Sequence, residues 1–504
     1  MISSSSTALA DLPESLLVLS DVHLGSDIAD GGRNLVRRSS SIDRDLVQLI
    51  DHYRAHPRTG SRWRLVIAGD FIDFIGMTVR PDEHAALHTP LNDEERSHGL
   101  GSAADHARLK LRRVAERHAP VFVALAAFVA AGHGLTLVHG NHDIELYWDD
   151  VQTDFREVLQ RHARAAEPAL DAETFAARIE FNPWFFYRDG VAYIEHGHQY
   201  DPFCATAHVM APLSPTDPRR VARGFCDTLL RYVVRQTRGM SEHGHEHVGM
   251  LHYVAFAARL GLAGTARLGL QFVLAVTELF RLRRAHWSEA GARLREEHER
   301  RVAKLAEVTR DGHARLRALL SLQVPPITST VRGILKSLLL DRIGVALASV
   351  LVLALVAAFS VHLGSFALAA AGAVSVGVGW ALLDRWFTAQ RNVDPTQLMV
   401  DRATQLARIF PAAFVVMGHT HTPASLPAGD ATYVNVGAWA EEEHEPEPGV
   451  GTEGAPGAGL DPEAATAFGY RAPRTHLVIH VGAAGAEAQF FSWHESGPKL
   501  WSSS

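Results

Sequence analysis

A layered α/β protein is predicted by three observations. Short apolar runs of strand length recur along the chain. Segments with helical patterning lie between several of them, and five of the runs end in a turn that carries metal-capable side chains. Runs that are apolar throughout suit strands covered on both faces.

The five runs come in a clear order. Leu16 to Ser20 leads into Asp21-Val22-His23. Arg64 to Ala68 leads into Gly69-Asp70-Phe71-Ile72-Asp73. Leu135 to His139 leads into Gly140-Asn141-His142-Asp143. Val191 to Glu195 leads into His196-Gly197-His198. Ala413 to Met417 leads into Gly418-His419-Thr420-His421. Ile42 to Tyr53 and Ala104 to Val129 read as intervening helices. In layered α/β cores, ligands bind where loops leave the carboxyl ends of strands. Glycine at such a point lets backbone approach a ligand or turn sharply.

Composition narrows the class. The chain has 504 residues, room for two or three domains, and a net charge of -7 that gives no general reason to bind nucleic acid. Two cysteines, Cys204 and Cys226, imply no disulfide framework and fit a reducing compartment. The Ser-rich start, Met1 to Ala10, lacks the basic and apolar regions of a secretory signal. Histidine is plentiful at 29 residues, and its placement decides its meaning. Any one of the five turns has an ordinary structural explanation. Five of them, each directly after an apolar strand, point to a metal site.

Mixed carboxylate, amide and imidazole ligands suit Mn²⁺ first, with Fe or Zn as alternatives. Two such ions about 3.5–4 Å apart can clamp a phosphoryl group and acidify a shared water to hydroxide.

The order Asp-x-His, Gly-Asp-x-x-Asp, Gly-Asn-His-Asp, His and Gly-His-x-His resembles the calcineurin-like metallophosphoesterase superfamily, over roughly residues 15–200 and 405–495. The resemblance implies a four-layer α-β-β-α sandwich. It implies that Asp21, His23 and His421 hold one metal, that Asn141, His196 and His419 hold the other, and that Asp70 bridges them. His142 would be a non-ligand histidine beside the substrate phosphate, oriented by Asp143, and Asp73 would stand behind the ligands. His198 reads as a supporting residue or a plain turn. Ser20-Asp21-Val22-His23-Leu24-Gly25 and His196-Gly197-His198-Gln199-Tyr200-Asp201 look like the branch containing UDP-2,3-diacylglucosamine hydrolases, peripheral-membrane pyrophosphatases of bacterial lipid A synthesis. The chain departs from that branch at His142, where those enzymes carry Arg. That departure points to a relative acting on another phosphodiester or pyrophosphate; the resemblance, together with the membrane stretch described next, makes a lipid-linked substrate the expectation.

More than two hundred residues separate His196 from His419. The expected division is a first core part, 1–205, a helical insertion, 206–404, and a second core part, 405–504, with an acidic Gly/Pro-rich loop at 441–461. Leu251 to Phe280 is apolar, and reads as interfacial, core or lid. His286 to Thr309 reads as a solvated helix. Residues 343–383 hold two charge-free stretches separated by Ser360 to Ser365. One continuous helix there would measure about 60 Å, twice a bilayer core, whereas two of about 26 Å fit a transmembrane hairpin. Ala369, Ala373, Gly377 and Ala381 offer a small face for packing. His419 and His421 must reach the same site as Asp21, so the chain crosses an even number of times. Arg342 and Arg385 flank the hairpin and place the catalytic domain on the cytoplasmic side of the inner membrane, with membrane lipid as a partner. A buried hairpin in a soluble domain, or an oligomer contact, is the alternative. His243, His245 and His247 read as an exposed loop or a third metal site. Arg33, Arg37 and Arg38 read as an exposed loop or a phosphate contact.

Two further functions stay open: a phosphoesterase acting on a soluble cyclic nucleotide, nucleic acid or phosphoprotein, and a non-catalytic membrane scaffold. The sequence assigns no oligomeric state.

Overall fold

The structure, a computed structural model, describes residues 13–30, 36–38, 41–57, 60–81, 87–237, 240, 250–309, 311–337, 340–389, 395–440, 442–444, 474–482 and 485–502. The strands are β1 (Glu14–Leu19), β2 (Val36–Arg38), β3 (Arg62–Ala68), β4 (Gly134–Val138), β5 (Ile179–Asn182), β6 (Phe185–Arg188), β7 (Gly190–Glu195), β8 (Ala412–Met417), β9 (Ala424–Ala428), β10 (Ala431–Asn435), β11 (Glu442–His444), β12 (Thr475–Gly482), β13 (Gly485–His494) and β14 (Gly497–Leu500). They form two mixed sheets and a two-stranded ribbon. The seven-stranded sheet runs β14-β13-β12-β1-β3-β4-β5, and the five-stranded sheet runs β6-β7-β8-β10-β9. β1, β3, β4 and β5 are parallel neighbours in the first sheet, and β7, β8 and β10 in the second.

Side chains alternate across a strand, and here both sets are apolar. Leu16, Val18, Val66, Ala68 and Val138 of the larger sheet share one cluster with Ala192, Ile194, Val416 and Val434 of the smaller. The two sheets therefore lie face to face. The alternate residues Leu17, Leu19, Leu65, Ile67, Leu135 and Leu137 face helices on the outer side. On the smaller sheet, Tyr193, Val415, Met417 and Tyr433 face helices in the same way.

The helices follow their sequence patterns, with one break. Helix Ser41–Ala55 buries Ile42, Leu46, Leu49, Ile50 and Tyr53, a single stripe at helical spacing. The segment expected as one helix from Ala104 to Val129 is two, Ala104–Arg117 and Ala119–Ala130. Pro120 explains the break, since it has no N–H to donate and its ring clashes with the preceding turn. His118, at the break, accepts from Gly25 N at 3.1 Å and pairs with Asp43 at 2.7 Å.

The expected insertion is less separate than its length suggests. Val302 and Ala306 of helix Glu289–Val308, Leu316 and Leu319 of Gly312–Leu322, and Met399, Ala403 and Leu406 of Pro395–Ile409 build the outer layer of the smaller sheet. The 289–308 helix is thus solvated on one face only. Residues 220–235 pack against the first core part. Arg220 forks onto Glu95 at 2.6 and 2.7 Å, and Arg223 and Arg231 both pair with Glu94.

Residues 340–389 form a hairpin of two helices, Leu340–His362 and Phe366–Ala389. Gly372 lies against Val356 so closely that an added Cβ would collide with it. Gly377, one of the predicted packing positions, faces open space. A spacing of four residues drifts by about 40° per step on a helix of 3.6 residues per turn, so the predicted small face leaves the contact. Outer residues are exposed, among them Leu347, Val350, Leu351, Leu355, Phe359, Phe366, Val374 and Leu382. By length and composition, Phe366–Leu383 and Arg259–His286 are long and apolar enough to cross a membrane, and Leu347–His362 is shorter.

Two further expectations change. Residues 442–444, expected in a loop, pair with β2, with Glu442 opposite Arg38 and Glu443 opposite Arg37. Arg37 and Arg38 are therefore on a ribbon and not in a loop. Arg33, the His243/His245/His247 group and the rest of 441–461 lie outside the described residues. β10 ends at Asn435, and β14 is the last strand of the larger sheet.

His476 of β12 joins the larger sheet to helix Ser41–Ala55. Its Nε2 lies 2.8 Å from Tyr53 Oη, and its ring stacks on Phe491. Burial, reinforced by His52, pushes its pKa down to about 3. A neutral histidine in the fold must gain a proton on unfolding below the ordinary value near 6.5. The unfolded state therefore binds more protons as pH falls from 6.5 towards 3, and stability declines over that window. Between pH 7.5 and 5, His476 is expected to account for about 2 kcal/mol of lost stability. Denaturant unfolding at the two pH values checks this, because His476→Phe should reduce the pH difference by that amount.

Candidate metal centre

The five turns meet at one place because the strands that precede them are parallel neighbours in two facing sheets. Asp21 and His23 follow β1, Asp70 follows β3, Asn141 and His142 follow β4, His196 follows β7, and His419 and His421 follow β8. Hydrogen bonds lock the loops to one another. Val22 N and His23 N both donate to Asp70 O, His419 N donates to Asp21 Oδ2, and His142 N donates to Asp70 Oδ1.

The backbone is strained where these side chains emerge. Asp21, His23, Asp70, His419 and His421 have φ of 53°, 48°, 53°, 68° and 57°. Among the described residues, Asp311 is the one other non-glycine residue with positive φ. Such conformations cost roughly 1–3 kcal/mol each and cluster at functional sites. Three motif glycines are required by close approach. A Cβ on Gly69 would meet the His196 ring, one on Gly140 would meet Asp70 Oδ1, and one on Gly418 would meet Asp21 Oδ2.

Two of the groups of donor atoms that result hold predicted ligands alone. Asp21, His23 and His421 form one, with His421 Nε2 at 3.1 Å from Asp21 Oδ1. Asp21, Asp70 and His196 form another, and Asn141 Oδ1 joins it at 3.1 Å from His196 Nε2. His23 Nε2 stands 3.9 Å from Asp21 Oδ1 and 3.7 Å from Asp70 Oδ2, is buried, and makes no hydrogen bond.

His196 shows why a cation suits this place. Its Nδ1 contacts Ala68 O at 2.9 Å, and a carbonyl can only accept, so Nδ1 carries the proton. In the neutral ring, Nε2 is then a lone pair. It faces Asp70 Oδ2 and Asn141 Oδ1, each at 3.1 Å and each an acceptor. Three acceptors converging on one point need a proton or a metal ion between them. The electrostatics agree. Burial opposes charge on His196, but Asp70 and Asp21 outweigh it and lift its pKa to about 9. Burial likewise opposes charge on Asp70 and Asp21, and the surrounding histidines hold both carboxyls well below the ordinary range.

Two supporting roles differ from expectation. Asp143 does not orient His142. Its carboxylate folds back to accept from Gly140 N at 2.6 Å and Phe71 N at 2.8 Å, so it shapes the loop. Asp73 takes the His142 contact instead, with Oδ1 at 2.8 Å from Nδ1. Burial disfavours the charged His142 ring, but Asp73 and Asp70 raise its pKa well above the ordinary value. His419 does not join the donor group of Asp70 and His196; its Nε2 lies 3.1 Å from Asp201 Oδ2, with Cys204 close by. This leaves Nδ1 as the free ring nitrogen of His419. His198 is buried, contacts Gln199 at 2.8 Å, and is held neutral by burial and by His196 and His419.

The sequence reading missed Asp201, Asp227 and Arg235. Asp201 closes the His196 to Asp201 stretch, where a carboxylate beside a metal-type histidine is a usable signal. Arg235 is buried with a guanidinium nitrogen 3.6 Å from Asp73 Oδ2, and Asp227 is buried where its charge acts on His142. Their place beside the site depends on the long-range packing of residues 220–235.

Comparisons with protein-family models, curated proteins and solved structures give no match.

Gly140→Ala is expected to weaken Mn²⁺ binding by at least about tenfold, because the new methyl group displaces the Asp70 carboxylate and a disturbed ligand costs affinity on that scale. Calorimetric titration with Mn²⁺, beside circular dichroism to show an intact fold, checks the effect. Unchanged affinity would remove Asp70 from the metal set.

Proposed function

We propose that this protein is a dinuclear-metal phosphoesterase that hydrolyses a phosphodiester or pyrophosphate bond, on a lipid-linked substrate at the inner membrane. The observation that carries the reading is the convergence of acceptors around His196, with the orphaned Nε2 of His23 beside it. The order of the ligand motifs resembles that of the calcineurin-like metallophosphoesterases, and the facing sheets with outer helices fit the sandwich expected of them. The 343–383 hairpin, apolar and outwardly exposed, supports a membrane anchor.

The donor set fits two divalent ions. Asp21, His23 and His421 would hold one, Asn141 and His196 the other, and Asp70 both. His419 would contribute through Nδ1, with Asp201 fixing its tautomer from Nε2. Carboxylate, amide and imidazole donors without thiolate favour Mn²⁺, Fe or Zn. When bound, such ions supply Lewis acidity and a water activated at neutral pH.

The chain's own groups supply the rest. His142 carries a proton on a ring whose Nδ1 is fixed by Asp73. Its other nitrogen is placed to stabilise charge on a phosphoryl oxygen or to protonate the leaving oxygen. Asp73 is itself held by Gly76 N at 2.7 Å and by Arg235. Asp143 keeps the 139–143 turn in shape, so it positions rather than reacts.

Hydrolysis of bis(p-nitrophenyl) phosphate beside p-nitrophenyl phosphate, with Mn²⁺ titrated in, tests the reading. Turnover should require metal, favour the diester, and fall at least about a hundredfold in Asp70→Ala and in His142→Ala. Equal rates in wild type and Asp70→Ala would sink the proposal. So would an absence of turnover on these esters and on detergent-presented lipid phosphoesters with each of Mn²⁺, Fe²⁺ and Zn²⁺.

A further inference from the structure

We infer that helix Met250–His286 lies in the plane of the membrane interface, its outer face seated on an anionic bilayer. The inference rests on the membrane reading of the 343–383 hairpin.

The helix is apolar on two opposite faces. Its inner face is committed to protein: Ala275, Leu279 and Leu282 are buried, against clusters that include Phe225, Leu230, Tyr232, Val234 and Ile334. Its outer face carries Leu262 at 94 %, Leu270 at 58 %, Val273 at 59 % and Leu274 at 42 % exposure. These residues recur at helical spacing along about 18 Å of helix. Exposed Arg259 and Arg267 lie before and beside the strip, exposed Arg281 and Arg284 follow it along the helix, and Trp287, 75 % exposed, comes just after the helix ends. An apolar strip with arginines around it suits a helix lying on anionic lipid.

Two observations keep it from crossing, although its length permits that. A spanning helix cannot also bury one face in a water-facing domain, and this one is packed to the segment that carries Arg235 and Asp227 to the centre. The hairpin helices 340–362 and 366–389 pack on each other across a link of three residues, so they enter and leave together. A third crossing between His196 and His419 would put those two residues on opposite sides of the bilayer.

Continuity selects lipid as the occupant. Ile334 of helix Val331–Ser337 is buried beside Leu279, and the first hairpin helix starts at Leu340. The helix that precedes the hairpin therefore packs on the same helix that carries the strip.

Spin-label depth measurements on the full chain test this, in nanodiscs of phosphatidylcholine and phosphatidylglycerol. Nitroxides are placed singly at Leu270, Val273 and, as a hairpin control, Leu355, with Cys204 and Cys226 replaced by serine. The expected result is a deep label at 355 and shallow labels at 270 and 273, about 5–10 Å into the headgroup boundary. A deep label at 355 with water-exposed labels at 270 and 273 would overturn this inference alone. Mid-bilayer depth at 270 would show a span, and spin–spin broadening between copies would show a second chain on the strip; either result overturns it. A water-exposed label at 355 would overturn the hairpin reading and this one with it.

Discussion

The Asp70 carboxylate is the point on which four loops depend. Its Oδ2 lies 3.1 Å from His196 Nε2 and 3.7 Å from His23 Nε2, and its Oδ1 accepts from His142 N at 2.8 Å. These partners follow β7, β1 and β4, while Asp70 itself follows β3. Burying an uncompensated carboxylate costs several kcal/mol. Asp70 can stay charged only if the ends of both sheets reach it together. The inter-sheet cluster of Leu16, Val18, Val66, Ile194 and Val416 fixes that convergence, because it sets how one sheet lies on the other. The packing of the apolar core and the charge balance of the site are thus a single requirement. The left-handed residues and the three colliding glycines are its local consequences.

What could be read in the sequence was whatever depends on neighbours along the chain. Each of the five apolar runs is a strand, and each polar turn sits at a strand's carboxyl end. Gly69, Gly140 and Gly418 are legible as glycines of tight turns, and what leaves no room for a side chain there is the neighbouring His196, Asp70 and Asp21. The break at Pro120 was also local, and the simple rule about proline would have found it. The exchange between Asp143 and Asp73 was not local. Both carboxylates lie in motifs near His142, and only the three-dimensional path of the 139–143 turn shows that one bonds backbone and the other the ring. The buried arginines 220, 231 and 235 were less legible still. Their partners Glu95, Glu94 and Asp73 are more than a hundred residues away in the chain.

The long segment between β7 and β8 looks like an insertion in sequence and behaves as a crossover in space. β7 and β8 are adjacent parallel strands, with Ala192 opposite Phe414. A parallel pair needs a connection that leaves one end of the sheet and returns to the other, and a helix on the sheet usually provides it. Helix Pro395–Ile409 does so here, through Met399, Ala403 and Leu406. Everything between 206 and 394 is a detour within that connection. Loop-closure entropy grows slowly with length, so a long detour adds little cost once its ends are held.

Both ends of the detour are members of the candidate site, since His196 precedes it and His419 follows it. The middle is tied to the same site through Arg235 and Asp73, and to the core through Arg220 and Arg231. On the membrane reading, the anchor is therefore not an appendage on a flexible linker. It leaves from Val331–Ser337, which packs on the 250–286 helix, which in turn packs on the segment carrying Arg235. The stretch of chain that brings Arg235 to Asp73 is thus the one through which the hairpin is tied to the candidate site.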